Sequence, residues 1–351
     1  MKIKEKYLNI LKSAVFPLCF LILFSPSFAN EVVAEDEAKF EPAEMIAHHI
    51  GDDHQFHVVG HLHLPLPVIL YSGTDGLSVF MSSKFEGSDH TSVPYNGYVY
   101  EHGHIQREDG GSFLNLSITK NVFSMLLVAA VMLLLFISVA KSYDQRKGQA
   151  PKGMQSFFEP IILFIRDEVA KPSIGEKKYK KYVPYMLTLF FFIWLNNLLG
   201  LIPIFPGSAN VTGNIAVTLT LAALSLLLIN ISGNKHYWGH IFWPPGIPVP
   251  VKLILAPIEF VGVLTKPFAL MIRLFANILA GHIVLLSIVS LVFILGPKVG
   301  SGGTLGVGAG VVAFTIFMYI IKLFVAALQA YIFTFLTCLF IGQAVDEPAH
   351  H

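Results

Sequence analysis

Residues 249–295 read VPVKLILAPIEFVGVLTKPFALMIRLFANILAGHIVLLSIVSLVFIL, 47 positions in which only Lys252, Glu259, Lys266 and Arg273 are charged. As one α-helix this run would be about 70 Å long, more than twice the hydrocarbon thickness of a bilayer. It therefore has to be a re-entrant hairpin, a pair of crossings or steeply oblique helices. Each option makes the chain a polytopic membrane protein.

Composition agrees. Of 351 residues, 54% are hydrophobic and 13% charged, about half the charged share of an ordinary soluble domain. The formal net charge of +1 gives no general affinity for nucleic acid. Two cysteines, Cys19 and Cys338, exclude a disulfide framework and a four-thiolate zinc site.

The small net charge hides a segregation along the chain. Residues 1–29 read as a cleaved signal peptide, with Lys2, Lys4, Lys6 and Lys12 before a short apolar run and Ser27-Phe28-Ala29 at the cut. Residues 30–117 form an acidic, His-rich extracytoplasmic extension, with fourteen acids against three bases and nine of the fourteen histidines. Within it, Phe56-His57-Val58-Val59 and Tyr98-Val99-Tyr100 predict strands.

Residues 118–345 form the membrane domain and 346–351 a cytoplasmic tail. Apolar segments at 122–140, 182–202, 215–231 and 311–341 join 249–295 to give about five membrane segments, an all-α membrane body. The loop 141–181 carries ten bases against five acids, which places it in the cytoplasm and the extension outside. Phe157, Phe158, Ile161, Ile162 and Ile165 within it predict an amphipathic helix on the inner surface. Residues 233–248, with Trp238 and Trp243, read as an interfacial loop, and 296–310 as a glycine-rich external turn.

Between residues 182 and 345 seven positions are charged, and Glu259 is the one acid among them. Arg273 stands in the middle of the 47-residue run. A charge at that depth costs from about 2.5 to over 10 kcal/mol and marks pumping, gating or ion passage. At about 100° per residue, Glu259, Lys266, Arg273 and Asn277 share a polar stripe, and His282 points to the opposite side. Lys322 and Gln329 share a face of the last helix. Polar groups thus continue on both sides of Arg273 but on different faces, as two half-paths meeting at a fixed cation.

Arg273-Leu274-Phe275-Ala276-Asn277-Ile278-Leu279-Ala280-Gly281-His282 resembles the signature of subunit a of F-type ATP synthases. Leu328-Gln329-Ala330-Tyr331-Ile332-Phe333 is similar to that family's last-helix motif, and Asn196-Asn197-Leu198-Leu199-Gly200-Leu201-Ile202-Pro203 to a third block. The resemblance implies that Arg273 faces a rotating ring of c subunits, with Asn277 and Gln329 close by. It also implies that Glu259 belongs to a cytoplasmic half-channel and His282 to an external one. The expected role is proton conduction coupled to ATP synthesis, without a catalytic site or a cofactor. The implied partners are the c-ring, peripheral-stalk b subunits and membrane lipid, at a bacterial inner membrane with the extension periplasmic.

One position departs from the family. Lys322 stands where the family usually has His or an acid partnering the residue at the His282 position. Two cations there disfavour each other's charge, so the expectation is that one stays neutral or that a carboxylate from residues 30–117 reaches in.

The extension's His48, His49, His54, His57, His61, His63, His102 and His104 include ligand spacings at His57/His61 and His61/His63. The same pattern serves as acid-balanced solvated surface, and no resident metal is expected. The competing functional readings are a secondary transporter with an intramembrane Arg–Glu pair and a haem-binding electron carrier. The second needs paired histidines inside the spans, where only His282 lies.

Overall fold

The structure, a computed structural model, describes residues 46, 50–59, 62–87, 93–101, 103–146, 148–202 and 205–346. The signal-peptide reading of residues 1–29, the tail from residue 347, and His48, His49, His61 and His102 lie outside them.

The membrane body is helical: α1 (Lys120–Gln145), α2 (Met154–Leu163), α3 (Tyr179–Gly200), α4 (Ile215–Ser232), α5 (Lys235–Phe242), α6 (Val249–Gly296) and α7 (Gly303–Val345). Among the described residues five of these, α1, α3, α4, α6 and α7, are long and apolar enough to cross a membrane. Their starts follow ordinary capping chemistry. Thr119 accepts from Val122 N at the head of α1, Asn214 from Ala216 N at α4, and Asn234 from Tyr237 N at α5. The last of these corrects the interfacial loop expected at 233–248, half of which is a short helix.

The long apolar run is one unbroken helix of 48 residues, about 72 Å, so the hairpin and the pair of crossings fall away and the oblique option stands. The glycine-rich turn is also smaller than expected. Backbone departs from helical geometry at Gly300 (φ 70°, ψ 174°), and Gly306, Gly308 and Gly310 already belong to α7. In apolar surroundings each unpaired N–H or C=O is costly, so the chain keeps its helical ladder through glycines that would open a loop in water.

The predicted surface helix is α2, which runs on through a π-helical stretch, Phe164–Ala170, and a last turn, Lys171–Ile174. Phe158, Ile165 and Val169 turn into the body, whereas Phe157 is exposed. The same core takes in Phe191 and Ile193 of α3, Leu270, Met271 and Leu274 of α6, and Phe333, Cys338 and Ile341 of α7. On the outside, Leu126, Leu133, Leu134 and Ile137 of α1 and Phe317, Ile320 and Phe324 of α7 are exposed, as lipid-facing residues are.

The extension is β-structured, as its alternating runs predict. It has strands β1 (Gln55–Val59), β2 (Leu62–Pro65), β3 (Pro67–Ser72), β4 (Gly76–Met81), β5 (Tyr98–Glu101), β6 (His104–Arg107) and β7 (Leu114–Asn115). They pair antiparallel as β1-β2, β4-β3-β7 and β5-β6. Val68, Leu70, Phe85, Tyr98 and Ile105 form a small core of their own.

Two sets of contacts fix this unit to the helices. Asp53 O and Asp52 Oδ1 accept from Lys120 N at 2.9 Å and Asn121 N at 3.1 Å, closing the first turn of α1. Phe56 then stacks edge-on against Phe123 of α1 and Phe205 of the α3–α4 connection, at 5.4 and 5.3 Å between centroids. The extension thus rests on the α3–α4 connection.

Candidate functional site

Along α6 the apolar positions divide by face. Leu270, Met271 and Leu274 are buried in the core shared with α3 and α7, whereas Ile272, Arg273 and Asn277 are exposed. Among the described residues Arg273 has no hydrogen bond and no ion pair. Glu259 is half-buried on the same unbroken helix, fourteen residues away, which is about 21 Å. The two therefore do not form the intramembrane ion pair that a transporter reading requires. Lys266, between them in the predicted stripe, leans over α7: its Nζ donates to Gln343 Oε1 at 3.0 Å and lies 5.1 Å from the Phe340 ring centroid.

His282 faces the other way, into the body. Its Nδ1 lies 3.0 Å from Ile278 O, one turn back, and its Nε2 3.4 Å from Gly200 O at the end of α3. Both partners are acceptors, and a neutral imidazole can donate to only one of them. Lys322 reaches towards the same place from α7. Its stem passes Gly281, with Cε 3.5 Å from where a Cβ on that glycine would sit, and its ammonium lies 6.0 Å from the Tyr319 ring centroid.

Asn277, His282 and Lys322 line one cavity of about 100 Å³, with Asn197, Met318 and Ala326 among its other walls. That is room for a few water molecules. No carboxylate lines it among the described residues, so the expectation that one arrives from residues 30–117 finds no support there. Asn277 is the joint of the arrangement, at once on the exposed stripe with Arg273 and on the cavity rim.

Gln329 is buried, 5% exposed, one to two turns further along α7. No hydrogen bond among the described residues joins it, or Asn277, to Arg273. The structure thus gathers Asn277, His282 and Lys322 and leaves Arg273, Gln329 and Glu259 apart from that group.

Two residues outside the predicted set shape the cavity: Asn197 lines it, and Thr212 holds Asn197 from behind. Asn197 Nδ2 donates to Ala326 O at 3.2 Å, and Thr212 Oγ1 donates to Asn197 Oδ1 at 2.5 Å. Both are buried. The signal was the Asn196-Asn197 pair inside a long uncharged segment, since a buried amide must find partners.

Comparison with known proteins follows the same division. The profile of the family described as ATP synthase A chain matches residues 122–342, and that of a domain of unknown function (DUF8433) matches residues 45–122. An "ATP synthase subunit a 2" of Chlorobaculum tepidum is 36% identical over 356 residues, covering 99% of this chain and 95% of that protein. An "ATP synthase subunit a" of Chloroherpeton thalassium is 42% identical over 251 residues, covering 70% of this chain and 72% of its own. One of Chlorobium phaeobacteroides is 44% identical over 242 residues, or 67% of each.

Proposed function

Since this chain belongs to the ATP synthase A chain family and is a membrane-sector subunit of an ATP synthase, we propose that it is the fixed, non-catalytic half of that complex's proton path. The observation that carries the reading is Arg273, exposed and without a partner among the described residues in the middle of a long, largely apolar helix. Bare hydrocarbon is a costly neighbour for a guanidinium. A second protein surface has to cover this face and supply a carboxylate, and a ring of c subunits has that chemistry.

The path then follows from electrostatics. A carboxyl carried through lipid on the ring travels neutral, because its ionised form is too costly there. Beside Arg273 the ionised form is favoured, so the carboxyl releases its proton. The same fixed cation repels a proton trying to pass straight through. The cavity of Asn277, His282 and Lys322 serves one half-path, entered from the periplasmic side beneath the extension. Glu259 serves the other, open to the cytoplasm, and Gln329 orients the ring carboxylate near Arg273. Each proton that crosses delivers about 2.3 kcal/mol per 100 mV, and ring rotation passes this to the nucleotide sites. Stalk subunits of the b type hold the chain still in the inner membrane.

The test is Arg273→Gln in the complete complex, reconstituted in vesicles with an imposed proton gradient. ATP synthesis falls to background while the complex still assembles. Retained coupled synthesis overturns the proposal.

A further inference from the structure

At the end of the body opposite the β-structured extension, Lys177, Lys178, Lys180 and Lys181 line a cavity of about 520 Å³. Its remaining walls are the ends of three membrane-spanning helices and the turn beyond one of them: Tyr182 near the start of α3, Ser232 at the end of α4 with Asn234, and Val345 at the end of α7.

Two features make this an incomplete site. The lysines crowd the start of a 22-residue helix whose first turn has no acidic residue and whose first backbone N–H groups receive no capping bond from the side chain at the cap position. A helix start carries partial positive charge and favours an anion, so added cations there raise the local potential.

Among the described residues, the nearby carboxylates do not pair with Lys177, Lys180 or Lys181. Glu176 pairs with Lys171 at 3.0 Å, and Asp346 forms no ion pair with the cluster among the described residues. Lys178 has a structural task, since its Nζ donates to Val345 O at 2.9 Å and closes α7. Lys177, Lys180 and Lys181 are exposed, and among the described residues they form no ion pair. Lys181 lies 5.5 Å from the Tyr182 ring centroid.

We propose that this cavity binds the phosphate headgroup of an anionic phospholipid. The depth selects lipid as the source of the phosphate. Helices α3 and α4 have 22 and 18 residues, about 33 and 27 Å, so they match a hydrocarbon core of about 30 Å. Their ends therefore lie in the plane of the lipid phosphates. Basic pockets between helix ends at that level suit anionic headgroups, and Tyr182 supplies the aromatic floor found at the interface. The inference depends on the chain spanning a membrane and not on the proton path.

The experiment uses the whole ATP synthase in phosphatidylcholine vesicles doped with photoactivatable phosphatidylglycerol, or with photoactivatable phosphatidylcholine as reference. After illumination, label is mapped on the peptides holding residues 177–182 and 232–234. Phosphatidylglycerol is expected to label them on the order of a hundred-fold more than phosphatidylcholine, each of the three exposed lysines contributing about five-fold. In Lys177→Gln/Lys180→Gln/Lys181→Gln the excess disappears, and Lys178 is kept because it secures α7. Single variants give the graded readout if the triple variant does not assemble. Equal labelling by the two lipids overturns the proposal. So does loss of label on adding inorganic phosphate, which marks a free-phosphate site, or lysines found cross-linked to another subunit in place of lipid.

Discussion

The side-chain amide of Asn197 on α3 hydrogen-bonds the main-chain oxygen of Ala326 on α7 at 3.2 Å while accepting from Thr212 at 2.5 Å. One amide thus ties two spanning helices and the connection beyond α3 into the wall of the polar cavity. Replacing Asn197 by Ala strands two buried partners, at a cost of about 1–2 kcal/mol. The intact complex should dissociate on milder heating in detergent, and Thr212→Val in the same background should add little, because both changes remove the same network.

Lys322 offers a direct test of the cavity's charge. In Lys322→Ala the complex should assemble normally and lose roughly ten-fold in proton-driven ATP synthesis, equivalent to about 1.4 kcal/mol of barrier. Lys322→Arg should recover most of it. Unchanged flux with an unchanged pH profile in Lys322→Ala would make the residue a bystander.

Gly300 separates backbone need from space. At φ 70° and ψ 174° it occupies a region that belongs to glycine, although a Cβ there would meet nothing within 4 Å. Gly300→Ala should cost about 1–3 kcal/mol through conformation alone. Gly306→Ala, also in open space but helical, should be neutral or stabilising by about 0.5–1 kcal/mol. The yield of folded protein in membranes and its resistance to denaturant distinguish the two.

The junction between extension and α1 should respond to acid. His54 is 5% exposed, neither of its ring nitrogens is hydrogen-bonded among the described residues, and it stands edge-on to Tyr100, whose hydroxyl donates to Asp53. Burial holds its imidazole below the ordinary value, opposed by Asp53 and Asp52 and reinforced by His104. The unfolded chain then binds the proton more readily than the folded one. His54's contribution to stability is complete above about pH 6.5 and is lost as pH falls through that value towards the lowered one. Backbone hydrogen exchange at residues 52–54 and 98–101, corrected for intrinsic rates, should quicken between about pH 7.5 and about pH 5. His54→Phe should flatten that response, and an unchanged slope would remove His54 from the account.

Much of the membrane body was legible because spans are written in composition. Predicted boundaries for the first, third and fourth helices fall within a few residues of those observed, except at the polar end of α1, where the helix outruns its apolar stretch to Gln145. The sequence left three options open for residues 249–295, because length alone does not distinguish a bend from a tilt, and Pro257 and Pro267 sit within the helix without ending it. The wide glycine turn was misread for the same reason. Turn propensities reflect competition with water, and lipid removes that competitor.

In the candidate site, the angular reading put Arg273 and His282 on opposite faces, and the structure has one exposed and the other turned inward. It did not anticipate Asn277 lining a cavity with His282, because a cavity wall is made by neighbouring helices as well as by one helix's own angles. Asn197 and Thr212 come from elements whose approach depends on packing that no local pattern records.

The length of α6 also changes what depth means along it. To keep about 72 Å of apolar helix within about 30 Å of hydrocarbon, it has to lie about 65° from the bilayer normal. Each residue then descends only about 0.6 Å, against 1.5 Å in an upright helix. Glu259 and Arg273, about 21 Å apart along the axis, would differ in depth by about 9 Å. Most of their separation would run sideways in the membrane plane, so an ion moving between their levels would have to be carried laterally far more than it is lifted.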